Sequence, residues 1–168
     1  MIGTIPTQLS GIAAEFVKRA MRRICSAMAN AISGQMLAPA GLVIFGAAAT
    51  TAKTGTLAVY ATVNGRLVVI PAATVLPALA GTVLINTFNV FVFYVTAAGV
   101  ITSGIGTAGV TIGGVIWPQT PLGSTIVGAL TVNPTTASFI GGTTALDAVS
   151  TNVIYISPTG AFDPSINF

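Results

Sequence analysis

Thr56-Leu57-Ala58-Val59-Tyr60-Ala61-Thr62-Val63-Asn64-Gly65-Arg66-Leu67-Val68-Val69-Ile70 decides the fold class of this chain. Two runs rich in Val, Thr, Ile and Tyr, residues that suit a pleated surface, flank an Asn-Gly pair. A two-residue type I′ turn needs positive φ at both central positions, and Asn followed by Gly tolerates this best. The spacing predicts an antiparallel hairpin with strands over 56–63 and 66–70.

Working outward, the same residue classes continue to the end of the chain, punctuated by Gly, Pro and Asn. Further strands are expected over 41–47, 88–96, 99–102, 107–117, 124–133 and 153–157, with Ala97-Ala98-Gly99 closing a second hairpin. No helical periodicity separates these runs, as a parallel sheet would require. The expectation is a mainly β fold, with an antiparallel β-sandwich or jelly-roll-like domain over 37–168.

Alternation within 88–95 places Phe88, Val90, Val92 and Tyr94 on one face and Asn89, Phe91, Phe93 and Val95 on the other. Both faces are apolar for most of the length. Such a strand needs cover on both sides, either from another subunit or from packed layers around a central position. Phe88, Phe91, Phe93, Tyr94 and Trp117 are accordingly read as core or subunit-interface residues.

Charge is nearly absent. Residues 67–146 contain no Asp, Glu, Lys or Arg, the chain has no histidine, and charged residues make up 5 % of it. An ordinary soluble domain carries roughly a quarter. The hydrophobic content of 53 % excludes disorder through lack of apolar residues. Much of the surface is therefore expected to meet copies of itself, other proteins or lipid. Thr, Ser and Asn supply polar positions that do not repel an identical neighbour, which favours a homo-oligomer.

Residues 1–36 have a different character. Ser10 stands as an N-cap and Gly34 as a C-terminal stop around a segment rich in Ala, Met, Arg and Ile, predicting one amphipathic helix over 9–33. At ~100° per residue its apolar face collects Ile12, Phe16, Val17, Met21, Ile24 and Met28. The opposite side carries Lys18, Arg19 and Arg22, with Arg23 beside them. Four of the six basic residues lie here, so the net charge of +3 belongs to this segment. The apolar face is read as an anchor that packs on protein. For the basic face, the readings are docking on an acidic protein surface, on anionic lipid or, more weakly, on nucleic acid, since four charges without interleaved aromatics make a small footprint, against a plain solvated face of a helix that packs on its own domain or coils with sister copies.

Chemistry is excluded largely by composition. Without histidine there is no Ser-His or Cys-His pair, no His-containing zinc site and no imidazole base. Glu15, Asp147 and Asp163 are far apart in sequence and read as turn or cap residues. Cys25 is the one cysteine, so no intrachain disulfide forms, and it reads as a small filler despite Arg22 and Arg23 nearby. Gly104-Ile105-Gly106-Thr107-Ala108-Gly109 has dinucleotide-loop spacing but no following helix and no acid some twenty residues on, so it reads as a turn or bulge. Trp117-Pro118-Gln119-Thr120-Pro121 reads as a rigid crossing loop. No catalytic residue, metal or cofactor is expected. Nor is a membrane-spanning helix or a standard secretory signal: Gly, Thr, Asn or Pro interrupt the apolar runs before ~20 residues, and no charged n-region precedes an apolar one.

Several segments together resemble small structural proteins of tailed bacteriophages, of the head-decoration, head-fibre or cement type. They are Val59-Tyr60 ahead of Asn64-Gly65, Thr87 through Tyr94, Thr102 through Gly109, Gly128 through Pro134, Gly141 through Asp147, and Gly160 through Pro164. The resemblance covers most of the β part and not the helix, and it carries over no catalytic residue. It implies a capsid-bound oligomer, commonly a trimer, that contacts the major capsid protein or another shell protein. Such a protein is assembled in the host cytoplasm and resides in the virion. A fibre or receptor-binding role, with the loop after Trp117 touching host glycan, is the alternative within that class, and a membrane-surface protein using the basic helix is the alternative outside it.

Overall fold

The computed structural model describes residues 34–148 and 150–160 and, before them, Glu15, Val17, Lys18 and Met21, which are helical. The rest of the helix expected over 9–33 lies outside the described residues. The chain is mainly β. Its strands are β1 Gln35–Met36, β2 Val43–Ile44, β3 Ala52–Lys53, β4 Val59–Val63, β5 Arg66–Ile70, β6 Thr82–Val83, β7 Asn89–Thr96, β8 Ile101–Ile105, β9 Ser124–Val132, β10 Phe139–Ile140 and β11 Val153–Ile156. They form a three-stranded sheet β1-β4-β5, a four-stranded sheet β11-β9-β7-β8 and two short pairs, β10-β6 and β2-β3. Every strand pairing is antiparallel.

The hairpin around Asn64-Gly65 forms, its second strand with the expected bounds and its first beginning at Val59 instead of Thr56. Asn64 and Gly65 both take positive φ, 50° and 72°, and Val63 pairs with Arg66 across them. The turn after β7 also closes on glycine: Gly99 has φ 79°, and its amide donates to the Thr96 carbonyl at 2.9 Å.

β7 lies between β8 and β9, and both of its faces are buried. Phe91, Phe93 and Val95 join the main core, with Val59, Ala61, Val63, Val68 and Ile70 of the β4–β5 hairpin and with Leu130, Val132 and Phe139. Val90, Val92 and Tyr94 point the other way into a second cluster with Ile126 and Ala129. Each large apolar side chain buried in this way stabilises the fold by roughly 1.5–3 kcal/mol.

The cover on that second face comes from the chain itself and corrects the expected strand over 107–117. This segment forms no strand. Thr107 and Ile116 meet as an isolated bridge, Ile112–Gly114 makes one 3₁₀ turn, and Val115 and Trp117 lie against the second cluster. Glycine is the physical reason: a β-carbon on Gly109 would stand 2.5 Å from the Gly114 carbonyl carbon, so the two arms fold back in backbone contact. The apolar alternation that suggests a strand here serves a covering loop instead.

β9 carries a bulge. Phe93 pairs with Gly128 but Tyr94 pairs with Ile126, leaving Val127 as an extra residue. Val127 faces the main core while Ile126 and Ala129 face the second cluster. The bulge thus keeps both halves of β9 in phase with β7.

Candidate interaction surface

Strand alternation in β4 and β5 turns one set of residues into the core and the other outward. Val59, Ala61, Val63, Val68 and Ile70 are buried, while Tyr60, Leu67 and Val69 are exposed and Thr62 is half-buried. Register places Tyr60 opposite Val69 and Thr62 opposite Leu67. Leu37, whose amide donates to the Tyr60 carbonyl at 2.9 Å, extends the same face beyond β1. Leu67 is 62 % exposed, Leu37 56 % and Val69 50 %. A solvated sheet face ordinarily alternates apolar-in and polar-out. Here both sides are apolar; Arg66, the charged residue of the hairpin, pairs with Val63 beside the turn and by alternation belongs to the opposite face.

A cleft of about 460 Å³ opens next to β2 and β3, walled by Pro39, Gly41, Val43, Thr56, Leu57 and Ala73, with Lys53 also on its lining. Lys53 Nζ stands 5.6 Å from the centroid of the Phe45 ring, a cation–π contact worth about 0.5–1 kcal/mol at an exposed site. Buried Thr54 has its hydroxyl engaged: Oγ1 accepts from Thr74 N at 2.9 Å and donates to the Pro71 carbonyl at 3.3 Å. The cleft therefore presents apolar walls and one ammonium group, with no base or activated nucleophile among its lining residues. Asp147, beyond it, accepts from Ala48 N at 2.9 Å and ties the β2–β3 loop to the turn after β10.

The residues singled out from the sequence fall in three places. Phe91, Phe93 and Tyr94 are buried within the chain, Phe88 and Trp117 are half-buried, and Trp117 packs on the second cluster. Tyr94 donates to the Pro118 carbonyl at 3.3 Å, and burial pushes its phenol above the ordinary range. Of the helix residues, Val17 and Met21 are exposed at 53 % and 59 %, and Lys18 pairs with Glu15 at 3.3 Å on the surface. Ile12, Phe16, Ile24, Met28, Arg19, Arg22 and Arg23 lie outside the described residues. Leu37, Tyr60, Leu67 and Val69 are absent from the sequence-based candidates, although the double-sided apolarity of 59–69 is a signal that would have found them.

Among the described residues no three Cys, Asp or Glu side chains gather as a metal site, and no helix is long and apolar enough to cross a membrane. No family model matches this chain, and neither does any curated protein or solved structure.

Proposed function

We propose that this chain is a non-enzymatic virion structural protein that decorates or cements a phage capsid. In this reading the sheets close as a β-sandwich, that domain self-associates, as a trimer around a three-fold axis, and the N-terminal helix docks on the major capsid protein or another shell component. The observation that carries the reading is the surface. Large apolar side chains are exposed in the isolated chain, among them Leu57, Leu67, Val110 and Ile116, and no charged residue occurs between Leu67 and Leu146. Monomeric soluble proteins rarely leave large contiguous apolar patches uncovered, because burying them yields ~25 cal/mol per Å². Val17 and Met21, exposed on the apolar side expected of the helix, fit an anchor whose partner is another protein.

Light scattering on the purified chain tests self-association, with a mass of about three times the 16.8 kDa chain expected. Rebinding to particles stripped of small shell proteins tests the location. Val17→Asp combined with Met21→Asp is expected to abolish rebinding while leaving the oligomer intact, and unchanged rebinding removes the anchor from the proposal. Silence on a glycan array counts against the fibre alternative, and failure of a peptide of residues 9–34 to sediment with anionic liposomes counts against the membrane-surface alternative.

A further inference from the structure

We infer that the free edge of β5 is a two-fold contact at which a second copy of this chain adds its own β5, extending the three-stranded sheet into a continuous six-stranded one. The inference deepens the self-association reading and rests on it only in requiring that copies meet.

The backbone determines which groups are open. A two-residue turn makes its flanking pair, Val63 and Arg66, the closely bonded one, and antiparallel ladders alternate bonded and non-bonded pairs. Val68 and Ile70 therefore bond to Ala61 and Val59, while the amides and carbonyls of Leu67 and Val69 point away from β4. Among the described residues no turn or loop hydrogen bond uses them. β8, one of the two edge strands of the larger sheet, is better guarded: Ser103 donates to the Ala78 carbonyl at 3.3 Å, and Gly81 lies against Ile105.

The spacing of these groups is self-complementary. A two-fold axis through Val68 sets Leu67 opposite Val69 of the second copy, and the reverse, giving two bonded pairs that satisfy all four open groups on each strand. The outward side chains of the same residues, 62 % and 50 % exposed, then cover one another beside Tyr60. Charge does not oppose the pairing. Arg66 falls opposite Ile70 of the second copy, and the two guanidinium-bearing positions are four residues apart along the strand, ~14 Å, beyond the ~10 Å screening length of 0.1 M salt. Natural proteins protect exposed edges with inward charges, proline or bulges; on β5 Arg66 beside the turn and Pro71 after the strand stand at its two ends, and residues 67–70 between them carry none of these devices. Where the three-fold contact also forms, this two-fold contact joins trimers.

Cysteine pairing reads out the register. In a Cys25→Ser background, Leu67→Cys and Val69→Cys chains carrying different tags are co-produced and mildly oxidised. Directly opposite bonded residues have Cα atoms ~5.5 Å apart, within disulfide reach, whereas 67 to 67 or 69 to 69 is a diagonal of ~7–8 Å, outside it. The expected result is a mixed-tag covalent dimer from the pair and none from either variant alone, together with loss of one pairing step in the scattering mass of Val69→Lys. An oligomeric mass with no mixed disulfide, or with disulfides in a single variant, overturns the β5 contact and leaves the self-association reading standing. A monomeric mass at every concentration without cross-linking overturns both. Circular dichroism on each variant confirms that the comparison is between folded chains.

Discussion

Leu42 occupies the space into which a side chain on Gly128 would project: a β-carbon there would stand 2.5 Å from Leu42 Cδ1 and 2.8 Å from the Ile156 carbonyl oxygen. The cause is the β9 bulge, which leaves Gly128 facing Leu42 immediately after core-facing Val127. Gly128→Ala is expected to destabilise the fold by about 1–3 kcal/mol, the usual cost of overpacking, with strand content retained. Urea unfolding followed by circular dichroism measures it, and a stability equal to the parent would mean that Leu42 moves aside freely.

Phe139 meets Phe91 edge to face, with ring centroids 5.7 Å apart and planes at 64°. It is fully buried and lies on a two-residue strand, so its contribution is packing rather than sheet hydrogen bonding. Phe139→Ala is expected to cost about 3–5 kcal/mol, and Phe139→Leu clearly less. Equal losses for the two in denaturant titrations would show that the cavity is not what matters.

Asn89 is buried and uses both ends of its amide, donating from Nδ2 to the Gly106 carbonyl at 3.1 Å and accepting at Oδ1 from Val90 N at 2.8 Å. Asn89→Ala is expected to cost about 1–3 kcal/mol, because it strands buried polar groups. Thermal unfolding should show the loss, and a smaller effect would mean that solvent reaches Gly106.

Alkaline pH should be the condition that weakens the fold. Burial raises the phenol of Tyr94, and burial followed by the charge of Asp147 raises that of Tyr155. A folded-state value above that of the unfolded chain means the contribution is fully present below about pH 10 and is lost as pH climbs through the raised values. With no histidine to titrate, the melting temperature is expected to change little between about pH 6 and 9 and to fall above 10. Tyr94→Phe should reduce the alkaline fall, and melting curves across that range test it.

The sequence makes some elements legible and hides others for a physical reason. Arg66–Ile70 emerges with its observed bounds because Asn64-Gly65 pins one end and Pro71 the other. The two buried faces of β7 are visible in alternation alone. Gln35–Met36, Ala52–Lys53, Thr82–Val83 and Phe139–Ile140 are not foreseen, since two residues cannot display a period and their pairing depends on partners distant in sequence. Residues 107–117 mislead because a loop that covers an apolar face needs the same residues as the strand it covers. The outward face of the β4–β5 hairpin follows the same logic: its apolar residues are easily assigned to a core, and register shows that they face outward.

The amide of Gly160 donates to the carbonyl of Met36 at 2.8 Å, fastening the last described residue to the first strand through an isolated bridge. During synthesis β1 can align with β4 early, but its far side stays open until nearly the whole β region has left the ribosome. Pairings between such distant segments form slowly and leave strand edges exposed meanwhile. The nascent chain therefore passes through a period in which its own copies compete with its C-terminal segment for the same edge, and the rate of translation relative to sealing would govern the yield of correctly assembled protein.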